Sequence, residues 1–357
     1  MGPPYPLRSG SHVLERELAF RAVDPALEKL DPATRTLLRR AAMPDFTPPM
    51  LATLTKQVFS DSAWVYEPKL DGQRSLLWRR GETVRLLTRN EKDRTSHYPD
   101  LSAAIVRDET PSLIADGEIV AFDGDVTSFS KLQRRMQDAR PSTANVAAVP
   151  VYYYLFDLIW FDGYDLSALP LVARKAVLRE ALTFADPIRF SEHLDEEGEA
   201  AFRAACEKGW EGLVAKRAAS PYTHARSKDW LKFKCSNEQE FIVIGWTEPR
   251  GSREGLGALL VGYHDGGELR FGGKVGTGFN ERELERLSAK LRRLERKTSP
   301  LADTKGIAMK GVHWVRPELV AEVGFAEWTP DGKLRHPRYL GLRDDKTPDQ
   351  VVRERPR

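Results

Sequence analysis

Cysteine is scarce in this 357-residue sequence, which has only Cys206 and Cys235. Two cysteines exclude a disulfide framework and a four-cysteine zinc ribbon, and they point to a reducing compartment. A dominant charge of either sign is also missing. The 55 Lys+Arg and 52 Asp+Glu leave +3, so only the local distribution of charge bears on nucleic-acid binding. Long apolar runs are absent too. The longest candidate, Val146–Ile159, is broken by Pro150 and Asp157 and falls short of the ~18–20 residues of a membrane span. Met1–Tyr5 and the polar sequence after it lack the apolar core of a signal peptide. These absences describe a soluble cytoplasmic protein. What remains is ordinary globular composition, 41% apolar and 30% charged, in a chain long enough for two or three domains.

Three segments differ in character. Residues 1–45 read as an appendage, with coil at Met1–Ser11 and short helices at Glu15–Val23 and Asp31–Ala42. Asp31 can cap the second helix, with Pro32 in its first turn. This appendage could be a DNA-contacting arm, a linker remnant or a helical cap. Residues 46–236 mix strands and helices without the regular period of a doubly wound fold. Trp64–Glu67, Arg74–Arg79 and Val84–Thr88 are β-rich and separated by turns at Asp71–Gly72 and Gly81–Glu82. Ser112–Phe122 and Val151–Ile159 read as buried strands because their apolar runs are nearly continuous. Gly212–Lys216 and Trp230–Lys234 are further strands; Asp100–Val106, Leu171–Leu182 and Glu196–Lys208 are helices. Residues 237–357 look like a small antiparallel barrel with one charged helix, Glu281–Arg296. There is no internal repeat of fixed period.

The stretch Glu67-Pro68-Lys69-Leu70-Asp71-Gly72-Gln73-Arg74 places a lysine at the end of a strand, beside an Asp-Gly turn. A lysine held in a cleft becomes a nucleophile when burial or neighbouring cations depress its pKa. Alone, Lys69 is as well explained as one surface lysine among many. On the strand Trp230–Lys234, Lys232 and Lys234 share one face and Phe233 the other, so two ammonium groups can act together on an anion.

With its neighbours in order, the sequence resembles the covalent nucleotidyltransferase superfamily of ATP-dependent DNA ligases and mRNA capping enzymes. The ordered motifs are Lys69-Leu70-Asp71-Gly72 with Arg74, Thr88-Arg89-Asn90, Asp116-Gly117-Glu118, Tyr154-Leu155-Phe156-Asp157, Glu211-Gly212-Leu213-Val214-Ala215-Lys216, Trp230-Leu231-Lys232-Phe233-Lys234, and Arg338 with Arg343-Asp344-Asp345-Lys346. They run from about Pro48 to Lys346. Glu238-Gln239-Glu240-Phe241, Lys274-Val275-Gly276-Thr277-Gly278-Phe279, and Leu334-Arg335-His336-Pro337 with Gly341-Leu342-Arg343 narrow the resemblance to the ligase module of bacterial ligase D, an enzyme of non-homologous end joining.

The resemblance implies an α+β fold: a nucleotidyltransferase (ATP-grasp-like adenylation) domain at 46–236, then a β-barrel OB-fold domain at 237–357. It implies that Lys69 attacks ATP to form lysyl–AMP and that Glu118 and Glu211 hold Mg²⁺, with Mn²⁺ as an alternative. Lys232 and Lys234 would clamp the α-phosphate, Phe156 would stack on adenine and Glu67 would lie at the adenine edge. Arg74 and Arg89 would reach ribose or the DNA 5′-phosphate. Arg338, Arg343 and Lys346 would act on the leaving pyrophosphate. Asp116 ranks below Glu118 as a ligand, Lys216 pairs locally with Glu211, and His224 and His336 are structural or contact phosphate.

Asp331 to Arg357 holds eight Lys+Arg and five Asp+Glu, and its end, Arg353–Arg357, reads as a frayed basic terminus. The implied partners are nicked or broken duplex DNA and a Ku-like end-binding protein, with a monomeric, nucleoid-associated enzyme. Competing readings are an RNA ligase or GTP-using capping enzyme, and a non-catalytic DNA-end scaffold. Against the scaffold stand the intact Lys69, Glu118, Glu211, Lys232 and Lys234.

Overall fold

The computed structural model describes residues 24–194, 197–249, 255–304, 307 and 310–354. The expected coil Met1–Ser11 and helix Glu15–Val23 lie outside them, as do residues 355–357. The principal strands of the first half are β1 (Leu51–Leu54), β2 (Trp64–Pro68), β3 (Gln73–Arg80), β4 (Thr83–Thr88), β5 (Leu113–Val120), β6 (Tyr152–Phe161), β7 (Gly212–Arg217) and β8 (Arg226–Lys234). Its helices of eight residues or more are α1 (Pro99–Val106), α2 (Phe129–Met136), α3 (Leu171–Ala181) and α4 (Gly198–Glu207). The second half holds β9 (Asn237–Thr247), β10 (Ala258–Asp265), β11 (Glu268–Val275), α5 (Glu281–Arg293), β12 (Val312–Phe325) and β13 (Arg338–Arg343).

Two sheets build the first half. One runs Arg39–Arg40, Tyr164–Asp165, β6, β5, β3, β4, with Ile188–Phe190 added parallel to β6. The other runs β1, β8, β7, β2. Alternation on β3 explains how they stack. Leu77 enters a core shared with Leu101 of α1, Leu132 of α2 and Leu178 of α3, whereas Leu76 and Trp78 face Met50, Phe156 and Trp230 between the sheets. Being covered on both faces, β5 and β6 need the nearly continuous apolar runs seen in the sequence. Across the second sheet, Tyr66, Leu213 and Phe233 pack on Ala201 and Ala205 of α4. The chain leaves the second sheet at Pro68 and enters the first at Gln73. Lys69 to Gly72 therefore form the crossover between sheets. A Cβ on Gly72 would lie 2.3 Å from the Ile119 carbonyl, so only glycine fits there.

The second half is an antiparallel sheet ordered β11, β10, β9, β12, Glu295–Arg296, with β13 added to β12. Register shifts at Val243/Gly245 and Val261/Gly262 bend it toward a barrel. Leu287 and Leu291 of α5 are buried in its core. The α+β architecture with a C-terminal barrel-like unit is as the sequence implied.

Several local expectations fail for tertiary reasons. Asp31 caps a helix, accepting from the Ala33 and Thr34 amides at 3.0 Å, but that helix spans only Pro32–Arg35. The chain then extends so that Arg39–Arg40 can pair with Tyr164–Asp165. The charged helix ends at Arg293, and Glu295–Arg296 turns into a strand against β12. Cys206 and Cys235, 29 residues apart, are joined in a disulfide with Cα atoms 5.4 Å apart. One bridge is not a framework, yet the cysteine count no longer argues for a reducing compartment. Sequence spacing hid that the end of α4 packs against the end of β8. Among the described residues no helix is long and apolar enough to cross a membrane.

A buried ion pair joins α3 to the first sheet. Arg174 and Asp157 are both fully buried. Arg174 Nε and Nη2 donate to the two Asp157 carboxylate oxygens at 2.6 and 2.8 Å, and Nη1 donates to the Leu169 and Ser220 carbonyls. Truncating one member leaves the other charge buried and unpaired. Asp157→Ala should cost about 3–5 kcal/mol of stability in chemical denaturation, whereas the apolar pair Asp157→Leu/Arg174→Met should cost less than that single change. A loss below ~1 kcal/mol for Asp157→Ala would contradict an anchoring role.

Candidate active site

A cavity of about 200 Å³ opens where the crossover, the paired ends of β2, β7 and β8, and the second half of the chain converge. Nine basic side chains and eight carboxylates line it. Lys69 is fixed by its backbone, whose N–H donates to the Gly212 carbonyl at 2.9 Å. The Asp71 carboxylate accepts from the Phe129 amide at 2.9 Å, so α2 docks on the same turn. Burial, with Glu322 and Glu211 nearby, pushes the Asp71 carboxyl well up.

The Lys69 ammonium contacts the Glu211 carboxylate, and Lys234 approaches the other Glu211 oxygen at 3.5 Å. Burial raises the Glu211 pKa, but Lys69 and Lys234 outweigh it and hold the carboxyl below its ordinary value. Lys232 and Lys234 both face the cavity, as their alternation on β8 implied. Burial pulls the Lys232 ammonium down to about 8, opposed by Glu354 and helped by Lys234 and Lys69. Burial acts the same way on Lys234, but Glu211, Glu354 and Glu240 reverse it and its pKa rises.

Glu118 lines the cavity from β5, and Phe156 from β6. Arg74 lies over the Phe156 ring at 4.7 Å and Lys216 Nζ at 4.2 Å. Arg74 donates to both Asp116 oxygens at 2.5 and 2.6 Å. Asp116 is fully buried and also accepts from the Tyr222 hydroxyl, so it serves Arg74 and the sheet and does not face the cavity. Arg89 lines the cavity near Arg226; burial and that neighbour lower its pKa.

Two expectations need correction, those for Lys216 and Arg338. Glu67 does line the cavity, and its carboxylate accepts from Lys175 at 2.6 Å, Lys216 at 2.9 Å and Ser191 at 3.1 Å. Those lysines outweigh burial and keep its pKa low. Lys216 accordingly pairs with Glu67 and not with Glu211. Arg338 is 62% exposed, 3.5 Å from Glu238, and does not line the cavity. His224 binds the Thr47 hydroxyl and Pro48 carbonyl, a structural role. His336 adopts φ 49° at a turn.

Arg343 and Lys346 do reach the site. Arg343 pairs with Glu322 and Asp345, approaches the Gly72 carbonyl at 3.4 Å and covers the Phe129 ring. Lys346 pairs with Glu240. Further bonds close the second half onto the first. Asn90 donates to the Asp345 carbonyl at 2.7 Å, Gln133 to the Leu342 carbonyl at 2.7 Å, and Arg94 pairs with Asp344 at 2.6 Å. Glu240, Glu322 and Glu354 were not singled out as site residues. Glu240 lies within the quoted Glu238–Phe241 motif, and that was its only signal. Arg353 and Glu354, read as part of a frayed terminus, are instead packed: Arg353 covers Trp328 at 4.4 Å and Glu354 pairs with Lys232 at 2.6 Å.

Residues 49–234 match the model of the ATP dependent DNA ligase domain, and residues 252–346 that of the ATP dependent DNA ligase C terminal region. The chain belongs to the ATP-dependent DNA ligase family, and its two halves are a nucleotidyltransferase domain and an OB-fold domain. The multifunctional non-homologous end joining protein LigD of Pseudomonas aeruginosa is 38% identical over 98% of this chain and 42% of its own length. A LigD of Mycobacterium tuberculosis is 39% identical over 86% of this chain and 40% of its own length. The chain thus spans roughly two fifths of these relatives. A solved mycobacterial DNA ligase D complexed with ATP and MES is 36% identical, with a TM-score of 0.62 over 86% of this chain and 98% of that one.

Burial pushes the Glu118 carboxyl up to about 7, against the pull of Arg74, Lys69 and Arg343. Its folded value lies above the unfolded one of 4.5. Its contribution to stability is therefore full below pH 4.5 and lost as pH rises through about 7. Glu118→Gln should melt with wild type at pH 4.5 and about 2–5 °C above it at pH 8. A difference independent of pH would show that Glu118 is not held neutral.

Proposed function

We propose that this chain seals 3′-OH/5′-phosphate breaks in duplex DNA through a lysyl–AMP intermediate, with ATP as nucleotide donor, in end-joining repair. The observation that carries the reading is the convergence on one cavity of Lys69, Glu211, Lys232 and Lys234 from the first domain with Arg343 and Lys346 from the second. The catalytic unit would be 46–236 and the OB unit 237–357. The end of β8 at Lys234 and the start of β9 at Asn237 support that division.

Lys69 Nζ must lose its proton, to solvent or to a phosphate oxygen, before it can attack, and the Glu211 carboxylate in contact with it holds it in place. The P–N bond then forms at the α-phosphorus, the bond to the β-phosphate oxygen breaks, and pyrophosphate leaves. Lys232 and Lys234 stabilise charge on the α-phosphate, and Arg343 and Lys346 on the leaving group. The DNA 5′-phosphate next attacks the same phosphorus and frees Lys69. The 3′-OH finally attacks the activated 5′-phosphate and AMP leaves. Motif residues from the OB domain are needed only while pyrophosphate is present, so domain motion separates the steps.

Glu118 and Glu211 offer two carboxylates to the cavity, and no group of three or more ligating side chains gathers among the described residues. That set fits Mg²⁺ or Mn²⁺ arriving with the nucleotide, since Mg²⁺ is held by one or two carboxylates plus phosphate and water. Such an ion would neutralise phosphate charge during transfer. The end-joining role draws on the LigD relatives; a Ku-like end-binding partner, a monomeric state and a cytoplasmic, nucleoid location belong to the proposal and draw on the family resemblance alone.

Incubated with ATP and Mg²⁺, the wild-type chain should gain one AMP by mass spectrometry and Lys69→Ala none. Lys346→Ala should adenylate at least tenfold more slowly yet seal a pre-adenylated nick, because pyrophosphate is absent from that substrate. No adduct on wild type would favour a non-catalytic scaffold, and GTP or RNA preference a capping or RNA-joining enzyme.

A further inference from the structure

The C-terminal strap is seated as a structural element. After the turn Pro348–Gln350, the Val351 carbonyl accepts from the His264 amide at 2.9 Å and the Arg353 amide donates to the His264 carbonyl at 3.2 Å. The buried Gln239 side chain grips the next bonds, donating to the Val352 carbonyl and accepting from the Glu354 amide, both at 3.0 Å. Val351 is itself buried in the OB-domain core. These contacts fix the backbone of Glu354 on the OB domain while its carboxylate crosses to Lys232 on β8, in the first domain. The two side chains are only 15% and 19% exposed, so the pair is not a solvated surface contact.

We propose that Glu354 is an internal latch that occupies the phosphate-binding ammonium of Lys232 and is displaced by the nucleotide. The proposal rests on the assignment of Lys232 to the α-phosphate made above. A carboxylate and a phosphate oxygen are both anionic, and the single positive charge of one buried ammonium cannot neutralise both. The cavity, about 200 Å³ with the strap in place, is also below the ~300–1,000 Å³ typical of ligand pockets. A nucleotide seated there would meet Glu354, the cavity carboxylate that pairs with Lys232 across the domains.

Competition has two reciprocal consequences. The latch lowers apparent ATP affinity by the fraction of Lys232 it holds. A phosphate on Lys232 in turn leaves a buried carboxylate without its partner and loosens the strap. In the ATP complex, Arg343 and Lys346 can hold the domains together through the pyrophosphate. Once pyrophosphate leaves, AMP still occupies Lys232, both of those links are gone, and the Asn90, Gln133 and Arg94 contacts are what opening for DNA still has to break.

The test is adenylation rate against ATP concentration for the full chain, Glu354→Gln, a chain ending at Val352, and Lys232→Ala. Amide hydrogen exchange of the strap is followed in AMP-free and adenylated enzyme. Glu354→Gln and the shortened chain should lower the KM for ATP about three- to tenfold, and adenylation should speed exchange at Val351 and Val352 in the full chain. An unchanged or raised KM in both tail variants, with Lys232→Ala impaired, would overturn the latch and leave the phosphate site standing. So would unchanged strap exchange on adenylation. If Lys232→Ala adenylates like wild type at low ATP, the assignment of Lys232 fails, and the competition fails with it.

Discussion

The balance of charge inside the interdomain cavity is the constraint on which the rest of the structure depends. A site built to receive a polyphosphate must gather cations, and gathered cations repel one another and lose hydration as they are buried. The chain meets this by supplying carboxylates: Glu211 to Lys69 and Lys234, Glu240 to Lys346, Glu322 and Asp345 to Arg343, and Glu354 to Lys232. The sheets, the crossover at Lys69 and the closed second domain bring these pairs together.

The carboxylates fall into two groups by what a ligand could do to them. Asp116 and Asp157 are each tied by a two-pronged arginine and lie within the protein fabric, and Glu67, although it lines the cavity, is tied by two lysines. They orient Lys216, Arg74 and α3, and moving them would expose buried charge. Glu211, Glu240 and Glu354 each meet a lysine at the cavity wall. Lysine is a point charge on a flexible stem and can change partners, whereas Arg343 is forked between two acids. Exchange is therefore concentrated at lysines and orientation at arginines, as the proposed reaction requires.

The parts of this site legible in the sequence are those whose geometry is local. Lys69 sits beside its Asp-Gly turn, and Lys232 and Lys234 share a face because strands alternate. The strands β5 and β6 declared themselves by apolar runs that only two-sided burial explains. What was hidden depended on partners distant in the chain. Lys216 sits five residues after Glu211 yet turns to Glu67, because adjacent strands place β2 beside β7. Arg338 and Arg343 lie on one strand, but only Arg343 reaches the cavity. The disulfide and the truncated helix at Pro32–Arg35 follow from packing that no spacing rule encodes. Arg353 and Glu354 belong to a stretch with the composition of a frayed end, and their seating comes from the distant Gln239 side chain, His264 edge, Trp328 and Lys232.

The closed arrangement follows from the same charge balance. Without a phosphate, Lys232 and Lys346 would each be a partly buried cation facing other cations. Glu240 satisfies Lys346 within the second domain, whereas Glu354 satisfies Lys232 of the first domain by crossing from the second. Closure is thus the state in which the empty cavity neutralises itself. On the proposed reading, ATP brings enough negative charge to replace those carboxylates while its pyrophosphate still bridges the domains through Arg343 and Lys346. Transfer to Lys69 divides that charge. The part left on Lys69 satisfies the lysines of the first domain, and the part that departs had held the second. One covalent step would then change the electrostatic preference of the domain pair from closed to open, with no separate trigger in the fold.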